Sequence, residues 1–342
     1  MSIGSLSLWN FGGRIRSREF HYPLHTVSAQ EKDIICESLW KQHTKEMLLI
    51  ESNLLTINHQ KVTLEFQPSA DQAWQCWANN VLPASATYPS PYANVHKGNL
   101  THIGGTVGDA NCTWKAPTMD DRKNELNKLN RFRKTLSNDL TPKQKHDEEL
   151  GFMAEHGIRQ LGEPRIGSFA DRQRPDPLHL EINSWQHILN VLYLESIRRD
   201  RYEHFDKVLR LPKTEGGCNL KFVADKIKEH YDAVSTRMKL LTIRLIGSQA
   251  ITLAQFGYRL IDCLATEQES DGMLLNRLAL AKLCETLRNI GSMMNSVSTS
   301  LAYVSKLTDQ CNLYFNIFHY FSHNTAISLF GHWVTSFLIM QI

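Results

Sequence analysis

The sequence predicts a predominantly helical α+β protein, in which a smaller mixed part holding a β-hairpin precedes a large helical assembly. Three observations point there. From residue 219 onward the pattern is helical throughout, in segments near 219–235, 238–265, 272–291 and 299–321, with Gly272, Gly291 and Ser/Thr clusters as punctuation. Period-two alternation occurs at Leu55-Thr56-Ile57 and Val62-Thr63-Leu64-Glu65-Phe66, around the turn-like Asn58-His59-Gln60-Lys61, which predicts a hairpin over 55–66. Between these parts a Pro/Gly-broken arm, 157–177, feeds a helix whose apolar residues Leu178, Ile182, Trp185, Leu189 and Leu192 form one stripe. The expected division is a mixed region 1–156 and a region 157–342 of arm, central helix and helical domain.

Composition sets the outer limits. At 342 residues, 42% hydrophobic and 21% charged, the chain is an ordinary globular sequence long enough for two domains, which excludes dominant disorder. A formal net charge of +3 does not announce nucleic-acid binding by itself, so that case rests on where the basic residues lie. Its seven cysteines are scattered, odd in number and without a C-x-x-C pair, the pattern of reduced thiols in a cytoplasmic or nuclear protein rather than a secreted disulfide scaffold.

Near the start, Ser28-Ala29-Gln30-Glu31 reads as a capping box for a helix to about Leu49, and Ser69-Ala70-Asp71-Gln72 opens a short helix holding Trp74 and Trp77. From Leu82 to Pro117 no regular element fits, and the glycine cluster 104–108 lacks the spacing of a phosphate-binding loop, so a surface excursion is expected. Thr118 then caps a highly charged helix over 119–136, in which basic residues outnumber acids, and Thr141-Pro142 opens another reaching about His156. The charged helix is expected to present a solvated face.

The arm carries Arg159, Arg165, Arg172 and Arg174 and is expected to be a loop with a cationic lining. Beside it His179, Asn183, Gln186 and Asn190 recur at three- and four-residue steps, a stripe of uncharged donors and acceptors on the central helix. Such a stripe is suited to a phosphodiester backbone or to flanking an active centre; the alternative is a solvated face beside arginines that cap loop carbonyls. That helix is expected to run on to about Leu209. His319 and His323, four apart on a helix, are candidate zinc ligands, although Tyr320 stands where a metalloprotease needs glutamate. Residues 326–342 are almost free of charge, yet at 17 residues with His332, Thr335, Ser336 and Gln341 inside they are short for a bilayer core of about 30 Å, and no membrane association is expected. An apolar finish of this kind is instead expected of a truncated or divergent product whose covering surface lies on a second chain or a second copy.

Two motifs carry a family resemblance. Pro177-Leu178-His179-Leu180-Glu181-Ile182-Asn183 resembles a segment in the catalytic core of the V(D)J recombination-activating protein and its Transib-type DDE transposase relatives. Residues 313–323, Leu-Tyr-Phe-Asn-Ile-Phe-His-Tyr-Phe-Ser-His, are similar to the helix bearing that group's zinc-ligand histidines. The resemblance implies an RNase H-like N-terminal part, DNA as partner through Arg159, Arg165, Arg172, Arg174 and Asn183, and structural Zn²⁺ at His319 and His323. It further implies His179 and Glu181 as lining of an active centre, which would use Mg²⁺ if its acids were complete. The chain departs from the pattern. Cys112 replaces an upstream C-x-x-C, three residues rather than four separate the histidines, residues 1–24 offer no pair of catalytic aspartates, and the last glutamate would fall beyond Ile342. The expected function is therefore a DNA-binding fragment of a recombinase-like core that does not cut DNA as written; the alternative is a helical protein–protein interaction module.

Overall fold

The computed structural model of the chain describes residues 2–7, 21–27, 34–57, 59–83, 85–88, 90–96, 115–294 and 300–324, with backbone alone at 2–7, 21–27, 57, 174–175, 177–178, 319 and 322–324. The fold is α+β and mostly helical. The chain divides into two compact units between Asp176 and Pro177. The arm thus groups with the N-terminal elements, because its backbone is zipped onto them.

In the first unit β1 (Ser2–Ser7) pairs antiparallel with β2 (His21–Val27), with a register shift between Gly4 and Ser5. Helix α1 (Ile34–Ser52) follows, and the capping box expected at 28–31 lies outside the described residues. The expected hairpin is present but short. It joins β3 (Leu55–Ile57) to β4 (Gln60–Val62) through a turn in which His59 takes φ 64°. Its second strand stops before Phe66, whose N–H donates to the Glu51 carboxylate at 2.6 Å instead of to a partner strand. Among the described residues every sheet has two strands, the last being a short parallel pair of β5 (Ser69–Ala70) with β6 (Arg174–Pro175).

Side-chain caps set the helix starts here. Asp71 accepts from the Trp74 N–H at 2.8 Å to open α2 (Gln72–Ala78). Thr118 with Asp121, and Thr141 with Gln144, form capping boxes for α3 (Met119–Thr135) and α4 (Pro142–His156). Gly157 ends α4 in the left-handed region, φ 65°. One core gathers Trp74, Trp77, Ile166 and Phe169, with Trp40 edge-on to Trp74 at 4.9 Å; another gathers Leu82, Leu129, Met153 and Ile158 between α3 and α4. The expected surface excursion is partly core, since Tyr92, Ala93 and Val95 are buried. Their aromatic and apolar side chains outweigh the local Pro/Gly content.

The second unit is all helix. Its axis is α5 (Pro177–Arg198), against which α6 (Tyr202–Arg210), α8 (Gly247–Phe256) and α10 (Asp271–Met294) pack, with α7 (Lys221–Asp232), α9 (Tyr258–Asp262) and α11 (Leu301–Asn324) completing the assembly. The single helix expected through Leu209 breaks at Asp200, which adopts φ 55°. The helix expected over 238–265 begins only at Gly247, because backbone N–H groups of Leu241 and Leu245 are held by α5 side chains outside any helix. No helix among the described residues is long and apolar enough to cross a membrane.

Candidate nucleic-acid interface

Of the arm arginines, Arg159, Arg165 and Arg172 are committed to partners within the chain rather than to a cationic lining. Arg172 makes two 2.8 Å hydrogen bonds to the two oxygens of Glu51 on α1, and its guanidinium lies over the Phe169 ring at 4.5 Å. Those bonds hold the Glu51 carboxyl below the usual carboxylate range. Arg165 meets Glu37 at 3.3 Å, donates to the Trp77 carbonyl and stacks over the Trp77 ring. Arg159 is buried; its guanidinium reaches Glu125 of α3 at 3.4 Å, and Glu125 also accepts the backbone N–H groups of Arg159 and Gln160 at 2.8 and 3.1 Å. Backbone bonds from Leu82, Leu161 and Arg165 complete the seam between the arm and residues 78–82. Only Arg174 keeps its side chain outside the described set, its backbone being paired in β6. The physical reason is plain: an irregular segment inside a core leaves many backbone groups to satisfy, and these arginines tie it to helix carboxylates and carbonyls.

Two members of the polar stripe on α5, Gln186 and Asn190, are likewise turned inward. Gln186 accepts the Leu245 N–H at 2.9 Å and Asn190 accepts the Leu241 N–H at 2.7 Å, so the stripe supplies hydrogen bonds to the non-helical 241–245 segment. Asn183 is half-buried on the same side. His179 is exposed in the first turn, and Glu181 points its carboxylate at α10, where a Cβ on Gly291 would stand 3.1 Å from Glu181 Oε1. Both residues engage in interactions within the chain. Asp171 accepts the Met119 N–H at 3.0 Å and faces Arg122 at 3.6 Å, a structural role at the start of α3. Burial pushes His187, next in line on α5, down to about 3, and its ring meets Phe318 edge-on at 6.2 Å.

Cys112 and the side chains of His319 and His323 lie outside the described residues, although both histidines fall on α11 as expected. Among the described residues there is no group of three or more His, Cys, Asp or Glu arranged to hold a metal ion.

What the structure does bring together is a different basic surface. On α3, Arg122 is buried and Arg133 is paired to Glu149 at 3.0 Å, while the remaining cations Lys123, Lys128, Arg131 and Lys134 are exposed. Asn124, Asn127 and Asn130 are exposed among them. At 3.6 residues per turn these seven positions fall within an arc of about 160°. Two acids of the helix are engaged elsewhere, Asp121 in the capping box and Glu125 by the arm, while Asp120 is exposed on this face in the first turn, 3.9 Å from Lys123. Beyond that turn the face carries no carboxylate, and Lys128, Arg131 and Lys134 make no ion pair among the described residues. The excess of basic residues on this helix is visible in the sequence; which of them are spent internally is not.

No family model matches the chain, and no curated protein matches it either. Nothing in these comparisons links it to the recombination-activating or Transib group.

Proposed function

We propose that the chain binds DNA through the exposed face of α3, with the arm serving as an internal staple rather than as the contact surface. The observation that carries this reading is the run of Lys123, Lys128, Arg131 and Lys134 with interleaved asparagines on one helix face, free of carboxylates beyond its first turn. Exposed lysines and arginines spaced along a helix neutralise phosphates and release counterions, and asparagines donate to phosphate oxygens. Descent from an RNase H-like recombinase core is the part of the reading that the resemblance of residues 177–183 and 313–323 alone supports. The reading is of binding without cleavage, since Glu181, the acid that the resemblance places at an active centre, packs on α10. The test is anisotropy of a labelled duplex titrated with the full chain between about 50 and 200 mM salt, a range over which phosphate contacts weaken steeply. Retention at low salt that is lost in a Lys128→Ala/Arg131→Ala/Lys134→Ala variant supports the proposal; absence of retention at low salt refutes it.

A second reading, a helical protein–protein interaction module, is favoured by Leu274, Leu275 and Leu278, which stand 38, 57 and 55% exposed on the first half of α10. Its test is sedimentation of the chain alone. A concentration-dependent dimer that Leu275→Asp/Leu278→Asp dissolves would favour it, and a monomer at all concentrations would leave self-association without support.

A further inference from the structure

The composition of the α3 face is not uniform across its width. On a helical wheel of about 100° per residue, Asn127, Arg131 and Asn124 occupy the middle of the exposed arc, with Lys123, Lys134 and Asn130 along one margin and Lys128 along the other. The spacing of the middle row, 124, 127 and 131, is that of residues stacked on one line of a helix. All three are exposed, and none makes an ion pair among the described residues. Asn130 differs, because its side-chain oxygen accepts from Arg133 at 3.2 Å. The row therefore holds the two side-chain types that present paired donors and acceptors to purine edges, arginine to guanine and asparagine to adenine, bordered by the type that acts as a point charge towards phosphate.

The support beneath this row is rigid. Leu129 is buried under α3 against Met153, Phe132 stacks on Phe152 of α4 at 4.1 Å with rings 2° apart, and Arg133 is tied to Glu149. Both capping boxes fix the ends of the α3–α4 pair. The helix is 17 residues long, about 25 Å at 1.5 Å per residue, and the major groove of B-form DNA, about 12 Å wide, admits an α-helix. Asp120, at the N-terminal end of the same arc, bounds the surface.

We infer that α3 is a recognition helix that lies in the major groove of duplex DNA, where Asn124, Asn127 and Arg131 read purine edges and the lysines on either margin hold the two phosphate backbones. The inference rests on the reading of α3 as the DNA-contact surface. It goes further in making that contact sequence-selective and in separating base-reading residues from phosphate-holding ones.

The test is selection by the full-length chain from a pool of duplexes with a randomised core, followed by affinity measurements on the selected and scrambled duplexes as salt is varied. The expected result is a consensus containing guanine and adenine positions. Arg131→Lys keeps the charge but lacks the planar fork, so it should lose about 5- to 100-fold of the guanine preference with the salt slope unchanged. Asn127→Ala should relax an adenine position, again without changing the slope, whereas Lys134→Ala should weaken all duplexes alike and lower the slope by about one. Circular dichroism of each variant verifies the fold, and because all three residues are exposed the substitutions leave the core intact. A wild-type chain that binds every duplex equally overturns the inference while leaving DNA binding by α3 in place. So does an Arg131→Lys variant with an unaltered consensus. Failure of any duplex to bind at low salt is the separate result that removes the α3 reading itself.

Discussion

Arg172 and Glu51, 121 positions apart in the chain, face each other through two parallel hydrogen bonds of 2.8 Å. This pair fastens the arm to α1, and Glu51 simultaneously takes the Phe66 N–H at 2.6 Å, so one carboxylate joins three segments of the first unit. Arg172→Lys keeps the charge but cannot reproduce the fork. Since the pair is partly exposed, Arg172→Ala is expected to cost about 1–2 kcal/mol, and Arg172→Lys to recover less than half of it. Urea unfolding of the three proteins measures this, and equal stability of all three would contradict the stapling role.

His187 gives the second unit a pH dependence of its own. Its folded pKa is depressed by burial from the usual 6.5 to about 3, so the unfolded chain binds the proton first. The stability it contributes is complete above pH 6.5 and is lost progressively as pH falls from there towards 3, by at most about 1.4 kcal/mol per pH unit. Denaturant midpoints between pH 7.5 and 5 should fall in the natural chain and stay level in His187→Leu over the same interval.

Two glycines predict opposite signs. A Cβ on Gly217 would stand 2.1 Å from the Leu211 carbonyl oxygen, so Gly217→Ala forces the backbone after α6 apart and is expected to cost about 2 kcal/mol. Gly151 lies within α4 with nothing within 4 Å of an added Cβ, so Gly151→Ala should stabilise by about 0.5–1 kcal/mol through helix propensity. Thermal melts of the two variants provide the comparison.

Arg199 is the buried ionic hub of the helical unit. It contacts Glu195 at 3.2 Å, Glu269 at 2.5 Å and the carbonyls of Leu264 and Met273, while Glu269 also pairs with Arg277 at 2.8 Å. Hydrogen bonds from Arg277 first and Arg199 second hold the Glu269 carboxyl down to about 2. Its contribution is therefore present above the usual 4.5 and lost as pH falls towards 2. Arg199→Met leaves buried Glu195 with Arg198 alone, at 2.9 Å, as its cation and is expected to cost about 3 kcal/mol. Adding Glu195→Gln should restore part of that loss, as a double-mutant cycle in urea would show.

The features that the sequence disclosed are those whose causes lie within a few residues. Thr118 and Thr141 mark helix starts because a capping box closes over four positions, and the α5 stripe appears because residues three and four apart share a face. Partners distant in the chain left no local trace. Glu37, Glu51 and Glu125 lie 128, 121 and 34 positions from the arginines they bind, and each is by itself an ordinary helix acid. The arm therefore read as a cationic lining, and the stripe of Gln186 and Asn190 read as a ligand face although it holds the backbone of 241–245. The α3 face emerged by subtraction: the structure shows which of that helix's charges are already committed, and what is left is the candidate surface.

The central claim is that α3, and not the arm, meets DNA. The most direct measurement is the slope of log affinity against log salt for one duplex and three proteins: the natural chain, Lys128→Ala/Arg131→Ala/Lys134→Ala, and Arg165→Gln/Arg172→Gln. The account predicts that the α3 variant loses about two to three units of slope while the arm variant keeps the natural slope, even though its unfolding midpoint drops. A slope that is unchanged in the α3 variant and flattened in the arm variant would contradict it.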